Sequence, residues 1–196
     1  TGGYSNQKYS TDKKNKKVLD IGCGTGRLSG LFKKVDYIGI DTSENFIKFA
    51  NEKYSNESIH FKVSKFQSFM KRNKYSVDLL LFWGVFEDET NPLYVVEKML
   101  SSVKKGGKII FTLHNYSNYL SQLLTYFKTE WLGKNFPYTS FPYGLIKQEI
   151  ETFAIKNNLQ SNIFTFGLLP PFHPTVPAIR SKGNGNTIVV VLKKND

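Results

Sequence analysis

Two carboxylates set on either side of a glycine-rich bend carry the clearest chemistry in this chain. Asp20 sits in the apolar run Val18-Leu19-Asp20-Ile21, glycines follow at 22, 24 and 26, and Asp41 ends a second apolar run, Tyr37-Ile38-Gly39-Ile40-Asp41. Such runs read as buried parallel strands, and the glycines let the backbone turn tightly and approach a ligand before the next element begins. The separation of Asp41 from Asp20, twenty-one residues, is that at which a doubly wound fold presents an acid to a ribose hydroxyl pair. Two acceptor oxygens match two adjacent donors, and the charge strengthens each bond. The competing reading of Asp41 is a cap on the helix that follows. A dinucleotide suits the bend poorly. Its pyrophosphate calls for a third glycine three positions after the second, where this chain has Arg27, and Asp20 repels a diphosphate while attracting an ammonium or sulfonium.

Alternating strands and helices must position these groups. Strands are expected near 18–21, 37–41, 59–63, 77–82 and 108–113, with a last one over Thr187 to Leu192 after the turn signal Gly183-Asn184-Gly185-Asn186. Leu28, Leu31, Phe32 and Val35 share a helical face after the glycine bend, and Phe46, Ile47, Ala50 and Tyr54 repeat it after Asp41, with Thr42 or Ser43 as cap. Thr90 or Asn91 before Pro92 starts another helix, with Leu93, Val96, Leu100 and Val103 as its stripe and Gly106-Gly107 as its end. This is the βαβ pattern of a parallel sheet.

Further motifs follow in register. The fourth strand runs Asp78-Leu79-Leu80-Leu81-Phe82-Trp83-Gly84-Val85-Phe86-Glu87-Asp88, and a helix, a glycine pair and a fifth strand occupy Val96 to Phe111. From Val18 to about Leu113 the chain resembles the class I S-adenosylmethionine-dependent methyltransferases, with Asp88 standing where many members have His. The resemblance implies an α/β fold: a doubly wound, Rossmann-like, seven-stranded and mostly parallel sheet with helices on both faces and an antiparallel last strand. It implies one domain over 1–196, with a cofactor half at about 16–114, a substrate-covering insertion at about 115–180 and a terminal strand at 187–192. S-adenosylmethionine is then the cofactor and S-adenosylhomocysteine the product. Asp20, Gly22, Cys23, Gly24 and Gly26 should meet the methionine part, Asp41 the ribose, Thr42 and Phe46 the adenine, and Trp83 and Gly84 the region of the transferred methyl group. Trp83 also reads as simple core or rim packing. The family's acidic residue after the third strand is missing from Val63-Ser64-Lys65-Phe66-Gln67, so Ser64, Gln67 or backbone near Lys65 and Phe66 must meet the adenine edge.

Methyl transfer from a sulfonium is a direct displacement, in which alignment of nucleophile, methyl carbon and sulfur does much of the catalysis. No metal is required. An oxygen nucleophile calls for a base near neutral pKa, which directs attention to histidine. His60 begins the third strand, at the end remote from the bend, and reads as structural; His173 lies in Pro170-Pro171-Phe172-His173-Pro174. His114 follows the fifth strand at the sheet edge where open α/β folds bind ligands, and is the candidate base, against a plain loop histidine as the alternative. From about Tyr116 to Pro177 the alternation breaks down. An apolar stripe (Tyr119, Leu120, Leu123, Leu124, Phe127, Trp131) precedes an aromatic and proline-rich stretch, and Tyr116, Tyr138, Tyr143 and His173 are the candidate substrate contacts.

Composition bounds the rest. The 196 residues, 40% of them hydrophobic, suffice for one full core. One cysteine, Cys23, excludes an internal disulfide and a cysteine-based metal cluster. No run is long and apolar enough to span a bilayer and Thr1-Gly2-Gly3-Tyr4 lacks a signal peptide's apolar region, so a cytoplasmic location is expected. Tyr4 to Lys17 is short and polar where family members often place covering helices, which leaves open a truncated start or a lid from a partner chain. Oligomeric state is not legible. The net charge of +11 is nearly all lysine, with Arg27, Arg72 and Arg180 the only arginines, whereas phosphate and base-edge recognition favours arginine's fork. Lys13, Lys14, Lys16 and Lys17, with Lys71, Arg72 and Lys74, could form a phosphate-facing patch or a solvated face. The expected activity is methyl transfer to oxygen of a small, anionic acceptor, a sugar or a phosphorylated or nucleotide-linked metabolite. The alternatives are an RNA methyltransferase and a cofactor-binding, non-catalytic partner subunit.

Overall fold

Uninterrupted apolar runs form the centre of one sheet. The computed structural model describes residues 16–32, 34–72, 76–86, 89, 91–115, 140–141, 143–166, 180–181 and 187–196. Seven strands of five residues or more lie in it: β1 (Lys16–Ile21), β2 (Val35–Asp41), β3 (Ile59–Val63), β4 (Val77–Phe82), β5 (Val103–Asn115), β7 (Leu159–Phe166) and β9 (Thr187–Lys194). The two-residue strands β6 (Ser140–Phe141) and β8 (Arg180–Ser181) join its margin. The order is β3-β2-β1-β4-β5-β9-β7-β8, with β6 paired to β5. The pairs β1–β2, β1–β4, β2–β3 and β4–β5 are parallel, and β9 runs antiparallel to both β5 and β7. The expected doubly wound, mostly parallel sheet with an antiparallel last strand is therefore present. Its order reverses between β1 and β4, where such sheets open a crevice beyond their carboxyl ends.

Strand pleating divides the interior into two layers. Leu19 and Ile21 point into the larger layer with Leu80, Phe82, Phe111 and Val190, while the alternate residue Val18 points into the smaller with Tyr37, Phe61 and Leu81. Helix α1 (Glu44–Tyr54) covers the smaller layer with Ile47 and Ala50. Helices α2 (Phe66–Arg72), α3 (Pro92–Met99) and α4 (Tyr143–Lys156) cover the larger through Phe69, Val96, Met99, Ile146 and Ile150. Two caps match the sequence. Ser43 accepts from the amide of Phe46, and Asn91, just ahead of Pro92, accepts from that of Tyr94.

Several expectations need correction. The helix foreseen after the glycine bend is a single 3-10 turn, Arg27–Leu31, burying Ser29 and leaving Leu31 76% exposed. Eight residues separate Gly26 from Val35 at the start of β2, with Lys34 turning at φ 58°, too few for a multi-turn helix and its return. In α1 Ile47 and Ala50 are buried and Tyr54 packs at the margin of the same layer, as expected, but Phe46 is turned outward. Helix α3 ends at Met99 and buries Val95, Val96 and Met99, while Leu93 and Leu100 lie only at the core margin. Val103 and the glycine pair belong to β5: Val103 pairs with Val77 and Lys108 with Leu79, so Lys104–Gly107 bulge out between these contacts. β5 also runs on to Asn115, so His114 lies inside the strand rather than after it. Within 115–180, α4 supplies cover and β7 a strand of the same sheet. The stripe from Tyr119 to Trp131 and the turn Gly183–Asn186 lie outside the described residues.

The larger layer is tied to the end of β4 by aromatic packing. Phe82 stacks on Phe86 at 4.9 Å between ring centroids, and Phe86 meets Phe111 edge-on at 5.7 Å. Phe82→Ala should lower stability by about 3–5 kcal/mol in a urea titration, because these rings cannot collapse into the vacancy; a cost below about 1 kcal/mol would contradict this packing.

Candidate functional site

The glycine bend is built on the end of β2. The amides of Gly22 and Cys23 both donate to the carbonyl of Ile40, at 2.8 and 3.0 Å, and the amide of Gly24 donates to Oδ2 of Asp41 at 2.9 Å. The amide of Gly26 turns back to the carbonyl of Cys23 at 3.0 Å. Gly22, Gly24 and Gly26 have φ of 70°, 53° and 76°, the left-handed region that favours glycine. At two of them the missing side chain also makes room: a Cβ on Gly22 would lie 2.5 Å from Val85 Cγ2, and one on Gly26 would lie 2.8 Å from the Phe61 ring. A Cβ on Gly24 would meet nothing within 4 Å, so this glycine faces the open side of the bend. The half-buried Cys23 side chain turns inward, with Sγ over Gly39, and burial pushes its thiol far above the ordinary range, leaving it unreactive.

Asp41 does not cap α1, since Ser43 does. Its Oδ1 accepts from the amide of Ser43 at 2.9 Å while Oδ2 holds Gly24, and the carboxylate stays partly exposed at the strand end. Each oxygen keeps a second lone pair for a further donor. Asp20, by contrast, is 1% exposed. Its Oδ2 accepts from the hydroxyl of Tyr37, while its Oδ1 is buried without a hydrogen-bond partner among the described residues. Desolvation, joined by the charge of Asp41 and opposed by the Tyr37 hydrogen bond, pushes Asp20 up to about 6.

Beyond β4 the chain turns at Gly84, with φ 70°, and the Gly84 amide donates to Oγ1 of buried Thr112 at 2.8 Å. Trp83 is 43% exposed and outside the core. Phe82 pairs with Phe111, so His114 on β5 projects past the last β4 pairing; it is partly buried, in register with Ser140 on β6 and Thr187 on β9. Thr112 and His114 share one strand face, that of the Gly84 turn. Thr42 is exposed and Phe46 is 49% exposed, both next to Asp41. Ser64 donates its amide to the Asp41 carbonyl at 2.8 Å and its hydroxyl to the Lys65 carbonyl at 3.0 Å, Lys65 is exposed, and Phe66 packs against the larger core. Tyr143 opens α4 and packs partly buried on that core. Asp88, Tyr116, Tyr138 and His173 lie outside the described residues. His60, opposite Ile38, is exposed near the far edge of the sheet.

Asp20, the glycines, Asp41, Trp83, Gly84 and His114 thus belong to strand ends on one edge. Three supporting residues escape a reading of motifs alone. Tyr37, Val85 and Thr112 sit where they contact Asp20, Gly22 and Gly84, and only Tyr37 left a sequence signal, a polar-tipped ring in an aliphatic strand whose hydroxyl must find a partner.

The set of acceptors fits S-adenosylmethionine. A buried, unpartnered carboxylate oxygen of Asp20 suits a cation, partly exposed Asp41 suits a diol, and the open face at Gly24 leaves room for the ligand. The amides of Gly22, Cys23, Gly24 and Gly26 are already spent within the protein, which leaves a diphosphate fewer donors in the bend, and the two carboxylates repel it. Among the described residues, no group of three or more His, Cys, Asp or Glu converges on a metal position, and no helix is long and apolar enough to cross a membrane.

Comparison with known proteins places this edge in context. Residues 12–164 match the methyltransferase domain family. The ubiquinone biosynthesis O-methyltransferase of Hydrogenovibrio crunogenus is 27% identical over 120 residues, 59% of this chain and 49% of that protein. Across the first curated relatives the matched part of the chain spans 26–57% of their length. A SAM-dependent methyltransferase from Thermotoga maritima superposes with a TM-score of 0.65 at 19% identity, over 92% of this chain and 83% of that one. The plantazolicin methyltransferase BpumL, solved with a monoazolic desmethylPZN analog and SAH, superposes with a TM-score of 0.63 at 20% identity, over 92% and 76%. With the family match covering well over half of the sequence and the sheet in the expected order, the chain belongs to the methyltransferase domain family and has the class I S-adenosylmethionine-dependent methyltransferase fold.

Proposed function

We propose that this protein transfers a methyl group from S-adenosylmethionine to oxygen of a small acceptor, a sugar or a phosphorylated or nucleotide-linked metabolite. The observation that carries the reading is the pair of carboxylates flanking a glycine bend whose amides at Gly22, Cys23, Gly24 and Gly26 are bonded internally: the two acids disfavour a polyphosphate and favour a cationic nucleoside. When bound, S-adenosylmethionine supplies an electrophilic methyl group. Asp20 holds the ammonium of its amino-acid end, Asp41 the ribose hydroxyls, and the backbone at Gly22, Cys23, Gly24 and Gly26 frames the methionine part. Thr42 and Phe46 border the adenine, Ser64 to Phe66 face its edge, and Trp83 and Gly84 lie towards the reacting carbon. His114, at the same sheet edge, takes the proton from the acceptor hydroxyl, and Tyr116, Tyr138, Tyr143 and His173 contact the acceptor. Naming of the Hydrogenovibrio relative as an O-methyltransferase supports oxygen as the attacking atom. The four motifs, the cover around them and the region from 115 to 180 act as one domain, with a cytoplasmic setting in keeping with the single thiol.

The net charge of +11 supports a second reading, with RNA as the acceptor. Titrating salt against RNA binding separates the two. Phosphate recognition demands a steep fall in affinity between 50 and 200 mM salt, of about 10³-fold for six contacts, whereas the small-molecule reading expects weak binding at every concentration.

His114→Ala should reduce methyl transfer by about 10²-fold or more, as for loss of a general base, while S-adenosylhomocysteine affinity stays within about twofold by calorimetry. An unchanged rate removes His114 as base, and a chain that binds cofactor but converts no acceptor in a broad metabolite screen is a non-catalytic subunit.

Asp20→Asn should separate stability from binding. With its carboxyl at about 6 in the folded state and near 3.9 unfolded, the folded protein holds the proton more tightly. Stability of the unliganded protein therefore falls as pH rises from about 4 to about 6, and the Asp20 contribution is flat above that. Asp20→Asn removes this slope and should raise the unliganded stability at pH 7.5 by about 1–2 kcal/mol in denaturant titration, while cofactor affinity drops at least about tenfold. Lower stability together with unaltered affinity would mean that Asp20 serves only packing.

A further inference from the structure

Tyr37 occupies a place that packing alone does not explain. In the parallel register of β1 and β2, Val18 lies opposite Tyr37 and Asp20 opposite Gly39, so Tyr37 reaches Asp20 diagonally, past a residue without a side chain. The ring is fully buried and clamped between Phe32, at 5.7 Å, and Phe61, at 5.8 Å in edge-on contact. Burial keeps its hydroxyl protonated far above the ordinary range, so it acts as a donor to Oδ2 of Asp20. Among the described residues, the other titratable groups facing Asp20 are Asp41 at the end of β2 and Cys23 in the bend, and the residue paired with it on β4 is Leu81. Asp41 and burial both disfavour the charged carboxyl, and Tyr37 is the neighbour that favours it.

We propose that Tyr37 is a positioning residue: its hydroxyl fixes one oxygen of Asp20 and thereby keeps the second, buried and unpartnered oxygen as an ionised acceptor for the ammonium of the cofactor's amino-acid end. This rests on the cofactor reading above. The chain holds a carboxylate in a dry position, with the polarity needed to keep it charged coming from one ring on the neighbouring strand. Because the carboxyl sits near 6, affinity for the ammonium is full above that pH and declines as pH falls through it. Loss of the Tyr37 hydroxyl moves this decline to higher pH.

The test is calorimetry on the intact chain with two ligands. S-adenosylhomocysteine carries the amino-acid end, and methylthioadenosine has the same nucleoside and sulfur without it. In wild type, S-adenosylhomocysteine should bind at least about threefold more weakly at pH 5.5 than at pH 7.5, with methylthioadenosine unchanged. Tyr37→Phe should weaken S-adenosylhomocysteine by about tenfold at pH 7, as for the loss of one hydrogen bond to a charged group, should recover part of that by pH 8, and should leave methylthioadenosine within about twofold. An unchanged S-adenosylhomocysteine affinity overturns the proposal, and so does an equal loss for both ligands, which marks a general loosening. Should Tyr37→Phe fail to fold, the wild-type profile decides, since a flat curve for S-adenosylhomocysteine from pH 5.5 to 8 also overturns it. Wild type binding neither ligand is a different result, in which the cofactor reading itself falls and takes this role of Tyr37 with it.

Discussion

The carbonyl of Ile40 and the carboxylate of Asp41, side by side at the end of β2, hold three consecutive amides of the glycine bend. The geometry of the candidate site descends from this anchoring. A bend of residues in the left-handed region has no regular hydrogen-bond ladder of its own, so its amides must find acceptors elsewhere. Here they find them on the neighbouring parallel strand, one of which is the side chain proposed to meet the ribose. Asp41 therefore joins the bend to β2 and, with its remaining lone pairs, faces outward. A carboxylate tied in this way loses little further rotamer freedom when a ligand arrives.

The same anchoring limits which amides of the bend are left for a ligand. In a phosphate-binding loop the free amides at the start of a helix point at the ligand. In this protein the amides of Gly22, Cys23 and Gly24 point at β2 instead, and a short 3-10 turn follows where a long helix would otherwise offer its positive end. In the proposed function, selectivity then rests with the two acids. The burial of Asp20, joined by the charge of Asp41, raises the cost of the empty site; a bound cation would offset that cost. Such a site is less stable empty than a neutral one would be, the usual relation between stability and function.

Around the acids, support comes from residues whose chemistry is ordinary and whose placement is not. Val85 fills the space that Gly22 leaves, Phe61 and Ala50 close on Gly26, Cys23 covers Gly39, and Thr112 holds the amide of Gly84. Phe86 joins Phe82 to Phe111, so the turn that carries Trp83 rests on the larger core. The edge of the sheet is thus firm beneath an open surface, a combination suited to aligning groups for a displacement reaction.

Apolar runs and glycine spacing made β1, β2 and β4 legible from the residues, because a buried parallel strand is rich in hydrophobic residues and its end is marked by a turn. Asn91 before Pro92 announced α3 for a similarly local reason, as an acceptor for orphan amides ahead of a residue that has no amide to give. Local rules failed where partners are distant. Val103 looked like a helical residue until its pairing with Val77 drew it into β5, and α4 and β7 were hidden in an aromatic-rich stretch with no clean period. The acids at 20 and 41 and their glycines were plain in the sequence, but not that Asp41 would hold Gly24 while Ser43 took the cap, nor that Asp20 would accept from the hydroxyl of Tyr37. Residue type and spacing follow from the covalent chain; which donor meets which acceptor, and how far water is excluded from a charge, depends on strands brought together across the fold.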